Sequence, residues 1–143
     1  MIELDHLFIL TSVDGPEAAV LIELGLEEGP GNVHPGQGTS NRRFLFERNF
    51  LELLWVHDED EVRGPMIAPT HLWERSRSGQ TGYSPFGICV RSSGKDETVA
   101  VEGILPETWA YIPPYLPEGM QIDVADNGGY PQEPMLFQIP SLP

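Results

Sequence analysis

The sequence predicts an α+β fold made of two β-α-β-β-β units within one domain. Three observations lead there. Short apolar runs of strand length recur along all 143 residues, only two segments carry helical signals, and the order strand, helix, further strands reads once before residue 57 and again after residue 85. A chain of this length suits one ordinary domain burying roughly two-thirds of its unfolded surface. Its parts are a first module at about residues 1–57, a linker at about 58–84 and a divergent second module at about 85–143.

The first strand is "IELDHLFILTS", residues 2–12, with an apolar centre. "VDGPEAAVLIELGL" follows it, where Asp14 is the expected N-cap, Pro16 falls in the first turn, Glu17 stands three residues after the cap and Gly25 stops the helix. Residues 27–41, "EEGPGNVHPGQGTSN", are rich in Gly and Pro and read as loop with a short strand inside. "RRFLFE" and "FLELLWVH" are two more strands, and Arg48-Asn49 between them predicts a two-residue hairpin. That register pairs Glu47 with Phe50, Phe46 with Leu51 and Leu45 with Glu52.

Strand parity then sorts the side chains. Leu51, Leu53 and Trp55 share a face with Phe44 and Phe46, the expected core under the helix. The other face carries Phe50, Glu52, Leu54 and Val56 with Arg43, Leu45 and Glu47; on the first strand, His6 goes with Leu4, Phe8 and Leu10. A mostly apolar face with a few convergent polar groups is what a small-molecule pocket needs. Burying His6 and Glu52 among apolar neighbours costs several kcal/mol unless partners compensate. Arg43, diagonal to Glu52 in this register, is one such partner.

The linker opens with "HDEDE", a charge run read as a solvated loop, and continues through the polar "WERSRSGQTGYSP". In the second module "FGICVRSS" is a strand, residues 95–104 suggest a weak helix, and "TWAYIPPYLP", "GMQIDVAD" and "PMLFQIP" are three extended segments. Cys89, the single cysteine, forms no internal disulfide and reads as a small buried hydrophobe.

Composition removes several function classes. Twenty-two acidic residues against 8 basic ones give a formal charge of −14, which repels nucleic acid and anionic membrane surfaces. No apolar stretch approaches the ~18 residues of a membrane span, and the opening residues are acidic where a signal peptide is basic. A cytoplasmic protein is expected. No nucleophile elbow, P-loop or dinucleotide glycine pattern occurs.

Taken together, "LDHLFIL", a helix beginning "DGPEAA", the loop "HPGQGTSNR" and the strand "FLELLWV" resemble the glyoxalase-like branch of the vicinal oxygen chelate superfamily. The resemblance implies paired βαβββ modules forming a curved, incompletely closed mixed β-barrel with helices outside. It implies His6 and Glu52 as ligands of one divalent metal, Zn, Ni, Fe or Mn, which polarises a carbonyl or enediolate of a small oxygen-rich molecule. A lyase, isomerase or dioxygenase would work this way, with Glu52 as catalytic base if it is not a ligand. His34, Asn41 and Arg42 or Arg43 of the loop and next strand would grip an oxyanion or carbonyl of the ligand, and Gln138, which stands where a second glutamate is expected, would be a further ligand-binding residue, as Gly87 or a neighbour stands where a second histidine is. His34 and His71 are further candidates to complete a ligand set. The alternative is a metal-free drug-binding or sequestering protein, and a homodimer is a further expectation because related modules pair across chains.

Overall fold

The computed structural model describes residues 2–92 and 105–139. The helix expected at residues 95–104 lies outside the described residues.

The first strand, β1, is Ile2–Leu10, and helix α1, Ala18–Glu23, follows it. That helix is shorter than its sequence pattern suggests. Asp14 and Gly15 both take positive φ, 70° and 58°, so the chain is still turning where the N-cap was expected. Glu17 occupies the cap position without a side-chain cap bond, whereas Gly25 at φ 93° ends the helix as expected. Two short strands, β2 (Glu28–Gly29) and β3 (Val33–His34), both pair with β4 (Thr39–Leu45), which forms a hairpin with β5 (Phe50–Val56).

The hairpin loop has four residues, 46–49, rather than two, and closes with the Phe46 N–H donating to the Asn49 carbonyl at 2.9 Å. The register is therefore Leu45 with Phe50, Phe44 with Leu51 and Arg43 with Glu52. A slip of two residues keeps every side chain on its expected face, because the strand period is two. Only Phe46 and Glu47 leave the ladder, and Phe46 is exposed.

The acidic run is not a solvated loop. Asp58 caps helix α2, Glu59–Val62, by accepting from the Glu61 N–H at 3.1 Å, and three carboxylates occupy the first turn, where the helix dipole favours them. A 3-10 turn at residues 68–70 and helices α3 (Leu72–Ser76) and α4 (Ser78–Thr81) follow. Val62, Ile67 and Leu72 bury themselves in the main core, so this segment is packed structure.

The remaining strands are β6 (Phe86–Ser92), β7 (Thr108–Tyr111), β8 (Ile122–Ala125) and β9 (Met135–Gln138). The nine strands of the described residues join one mixed sheet in the order β2-β4-β5-β1-β6-β9-β8-β7, with β3 beside β4. In each half the first strand runs parallel to the last, β1 with β5 and β6 with β9, and the halves meet where β1 and β6 pair antiparallel. The end strands β2 and β7 do not pair, so the barrel stays open.

Apolar side chains gather on both faces. Ala18 of α1 covers Phe44 and Leu53 on one. On the concave face Phe8 and Leu54 from the first half meet Val124, Met135 and Phe137 from the second. No helix among the described residues is long and apolar enough to cross a membrane.

Candidate functional site

A cavity of about 200 Å³ opens in the concave face. Phe8, Leu54, Leu72, Ile122, Met135 and Phe137 make its apolar wall, and His6, His34, Asn41 and Glu52 gather at its polar end.

His6 reaches that end through a break in its own strand. The pairing of β1 with β6 shifts between Leu4 and His6, so Asp5 is an extra residue, a β-bulge of the kind that re-aims a side chain. Strict alternation therefore fails here: Leu4 turns outward and Asp5 comes beside His6. The His6 Nδ1–H donates to Asp5 Oδ2 at 2.7 Å, and Arg91 donates to Asp5 Oδ1 at 2.8 Å. The hydrogen bond from His6 lowers the Asp5 pKa, Arg91 adds to this against burial, and the carboxylate stays ionised. The His6 ring stacks on Phe50, its β5 partner in register, with centroids 4.4 Å apart. With Nδ1 and the ring face held, Nε2 points at Glu52 Oε1, 3.7 Å away.

Glu52 is buried, 7% exposed, and its outer oxygen is fixed by a neighbour on the adjacent strand. Asn41 Nδ2 donates to Glu52 Oε2, while Asn41 Oδ1 accepts from the Asn32 N–H at 2.6 Å, which settles the orientation of the amide. His34 approaches from β3 with Nε2 3.9 Å from Glu52 Oε2. Its Nδ1 lies 2.8 Å from Thr39 Oγ1. Burial lowers the His34 pKa, and Glu52 opposes that shift only in part.

Behind His34 runs a polar chain that the sequence did not single out. Tyr111 Oη donates to Gln37 Oε1 at 2.6 Å, and Gln37 Nε2 donates to Thr39 Oγ1 at 2.8 Å. The available signal was Gln37 between two glycines. Gly36 and Gly38 take φ of 83° and 80°, and a Cβ on them would strike Pro114 and the Asp58 carbonyl, so the loop folds in against the barrel only with glycine there.

Of the residues expected from the sequence, His6, Glu52, His34 and Asn41 are brought together. Arg43 lines the same cavity directly opposite Glu52, yet it does not pair with it. Its Nε donates to the Pro30 carbonyl at 2.7 Å and its guanidinium lies over the Phe50 ring. Gln138 is not brought in. Met135, Phe137 and Ile139 line the cavity, so alternation along β9 sends Gln138 to the opposite face. His71 lies at a separate cavity.

Among the described residues, the strands of the second half put no histidine or glutamate opposite His6 and Glu52. Cys89 pairs with His6 across the central seam, and Gly87 pairs with Phe8, whose ring fills the space any side chain on Gly87 would need. Asp5, His6 and Cys89 present ligand atoms within 4.8 Å of one another. Asp5 is already engaged twice, however, and burial pushes the Cys89 thiol far above its usual range, away from the thiolate that metals bind.

A family model described as a glyoxalase-like domain matches residues 4–115, most of the chain. This chain belongs to the glyoxalase-like domain family. Solved structures agree on the fold of this glyoxalase-like domain, within the vicinal oxygen chelate superfamily. A hypothetical protein from Bacillus halodurans C-125 is similar at 16% identity and TM-score 0.60, covering 99% of this chain and 96% of that one. The methylmalonyl-CoA epimerase from Mycobacterium tuberculosis is similar at 14% identity and TM-score 0.54, covering 98% and 88%. Another methylmalonyl-CoA epimerase gives 18% and 0.51, covering 96% and 95%. No curated protein matches the sequence significantly.

The chemistry of the donor set suits a divalent metal: two imidazoles have their Nδ1 atoms engaged by oxygen partners and their Nε2 atoms turned to the same carboxylate, the arrangement by which outer partners orient histidine ligands.

Proposed function

We propose that this glyoxalase-like domain binds a small oxygen-bearing molecule in its barrel cavity, with the carbonyl or hydroxyl end at Glu52 and the carbon skeleton against the apolar wall. One observation carries the reading: a buried carboxylate, placed between two imidazoles, forms the polar end of an otherwise apolar cavity. Nothing apolar could compensate Glu52 there, so the cost of burying it is met by Asn41 and the histidines.

The residues that would hold a divalent metal are His6 and Glu52, with His34 as third ligand, a set of two histidines and one carboxylate that leaves positions open for substrate. Bound there, the metal supplies Lewis-acid polarisation of a substrate oxygen. The chain's own groups do the rest. Asn41 keeps the Glu52 carboxylate in one orientation, Asp5 holds the His6 ring, and Phe8, Leu54 and Phe137 exclude water from the reacting end. Without a metal, Glu52 is the group placed to take a proton from a bound ligand, and an N–H on His34 Nε2 would face the same oxygen. A lyase, isomerase or dioxygenase reaction fits this arrangement.

Metal analysis and calorimetric titration test it, on the unmutated protein and on His6→Ala and Glu52→Gln. The expected result is one divalent ion per chain, lost in both variants. Absence of stoichiometric metal after supplementation sinks the metal-dependent form.

A second reading, metal-free sequestering of a small molecule, is favoured by Gly87, which faces Phe8 without a side chain, and by Met135, Phe137 and Ile139, the apolar groups that β9 and the residue after it bring to the cavity. Ligand-induced thermal shifts that ignore a chelator support it, and chelator-sensitive turnover counts against it. We also propose that the chain acts as a single domain and as a homodimer, the latter to be measured by sedimentation.

A further inference from the structure

Four side chains stand in a line behind the polar end of the barrel cavity: Tyr111, Gln37, Thr39 and His34. The links are 2.6 Å between Tyr111 Oη and Gln37 Oε1, 2.8 Å between Gln37 Nε2 and Thr39 Oγ1, and 2.8 Å between Thr39 Oγ1 and His34 Nδ1. Tyr111, Gln37 and Thr39 are 2%, 6% and 0% exposed, so water does not stand in for a missing partner. Each proton in the line therefore goes to another member of it.

Donors and acceptors fix the direction of the line. Among the described residues, Gln37 is the hydrogen-bond partner of the Tyr111 hydroxyl. Turning the Gln37 amide over would set its NH₂ against Tyr111 Oη and leave the buried Tyr111 O–H with no acceptor, a costly loss. Gln37 Oε1 therefore faces Tyr111, and Nε2 donates to Thr39 Oγ1. The O–H of Thr39 cannot go to an NH₂, so it goes to His34 Nδ1, and a nitrogen that accepts carries no proton. Burial lowers the His34 pKa, which keeps the ring neutral at about pH 8, and its single N–H is on Nε2.

That N–H is open to the cavity. His34 Nε2 lies 3.9 Å from Glu52 Oε2, beyond a hydrogen bond, and both residues line the cavity. It is not sealed in protein: among the described residues, the fully buried side-chain nitrogen and oxygen atoms without a partner are His71 Nδ1 and Arg75 Nε, not this one. His6 is set the other way. Its Nδ1–H donates to Asp5, which leaves a bare Nε2 toward Glu52 Oε1. The two histidines beside Glu52 thus carry opposite tautomers, one offering a lone pair and the other an N–H.

We propose that Gln37 is a positioning residue that sets the role of His34: with its amide oxygen on Tyr111, it commits His34 to the Nε2–H tautomer, a hydrogen-bond donor to a carbonyl or carboxylate oxygen of the ligand. This rests on the reading of the Glu52 end as the one that receives the ligand's oxygen. Ligation of a metal by His34 needs a bare Nε2, hence a proton on Nδ1 and the reversal of all three links, which strands the Tyr111 O–H. His6 needs no such reversal.

Long-range nitrogen-15 spectra of the metal-free protein at about pH 8, with the His34 signals identified by their loss in His34→Gln, tell a protonated ring nitrogen from a bare one. A bare Nδ1 and a protonated Nε2 are expected. Gln37→Glu should reverse them, because the new carboxylate accepts from both Tyr111 and Thr39 and leaves Thr39 Oγ1 to accept from Nδ1–H. Gln37→Met releases Thr39 without adding charge and should populate both tautomers. With the reversal no longer required, both variants should bind zinc roughly tenfold or more tightly than the unmutated protein in calorimetric titration. The proposal is overturned if Nδ1 carries the proton in the unmutated protein, if Gln37→Glu keeps the Nε2–H tautomer, or if zinc binds Gln37→Met no more tightly. The spectrum of the unmutated protein decides the tautomer even if a variant fails to fold. The expected tautomers with no zinc bound by any of the three proteins support His34 as a donor and sink the metal-dependent reading of Glu52 alone.

Discussion

Single side chains decide what the barrel cavity can do, and each is held by a neighbour that strand geometry supplies. Asp5 is a positioning residue: it touches His6 and does not line the cavity. Asp5→Asn should lower metal or ligand affinity by roughly 10–100-fold, the usual loss when an outer partner of a histidine ligand is removed. Calorimetry reads the affinity, and an unchanged value with an intact fold would show that the contact is only structural. His34 gives a pH signature. Its folded pKa is depressed below 6.5, chiefly by burial, so the unfolded chain takes up the proton first as pH falls. Its contribution is fully present above that value and is lost as pH drops from there through the folded pKa. Thermal unfolding followed from about pH 8 to about pH 5 should show this loss, and His34→Gln should flatten it. If the two proteins have parallel profiles, His34 is not the group responsible.

At the scale of elements, the bulge in β1 and the seam between β1 and β6 set the asymmetry of the site. The bulge brings Asp5 and His6 together, and the seam lays Gly87 beneath the Phe8 ring, where an added Cβ would meet ring atoms within about 2.0 Å. Gly87→Ala should therefore cost roughly 1–3 kcal/mol through overpacking, measured by denaturant titration. A neutral outcome would mean that Phe8 can turn aside and that the second half has room for a ligand residue after all. Much of this scale was legible in the sequence: the faces of β4 and β5, and with them the place of Glu52, follow from a local period of two. The bulge was not, because it exists only in the mismatch between two strands some eighty residues apart. The acidic helix α2 carries a local signal too, since Asp58 followed three residues later by Glu61 is a capping pattern.

For the whole molecule, one sheet carries both halves, and the cavity wall draws on each. Phe8 and Leu54 come from one side of the seam, Met135 and Phe137 from the other. Such shared packing predicts one cooperative unfolding transition, with calorimetric and van't Hoff enthalpies in agreement. Two separated transitions would show that the modules fold independently. A ligand spanning the cavity should move that single transition upward, by about 2.7 kcal/mol of added stability at a hundred times its Kd.

The sequence by itself determined the order of strands and the α1 helix, the faces they present, and the candidacy of His6, Glu52, His34 and Asn41. Periodicity, turn residues and loop composition are local, and they act before any long-range contact forms. Tertiary structure alone decided that Asp5 holds His6, that Gln37 and Tyr111 back His34, and that Gln138 faces away from the cavity. Each of those depends on which distant side chain occupies a given few ångströms, and burial changes the worth of a charge or a proton only once that neighbour is in place.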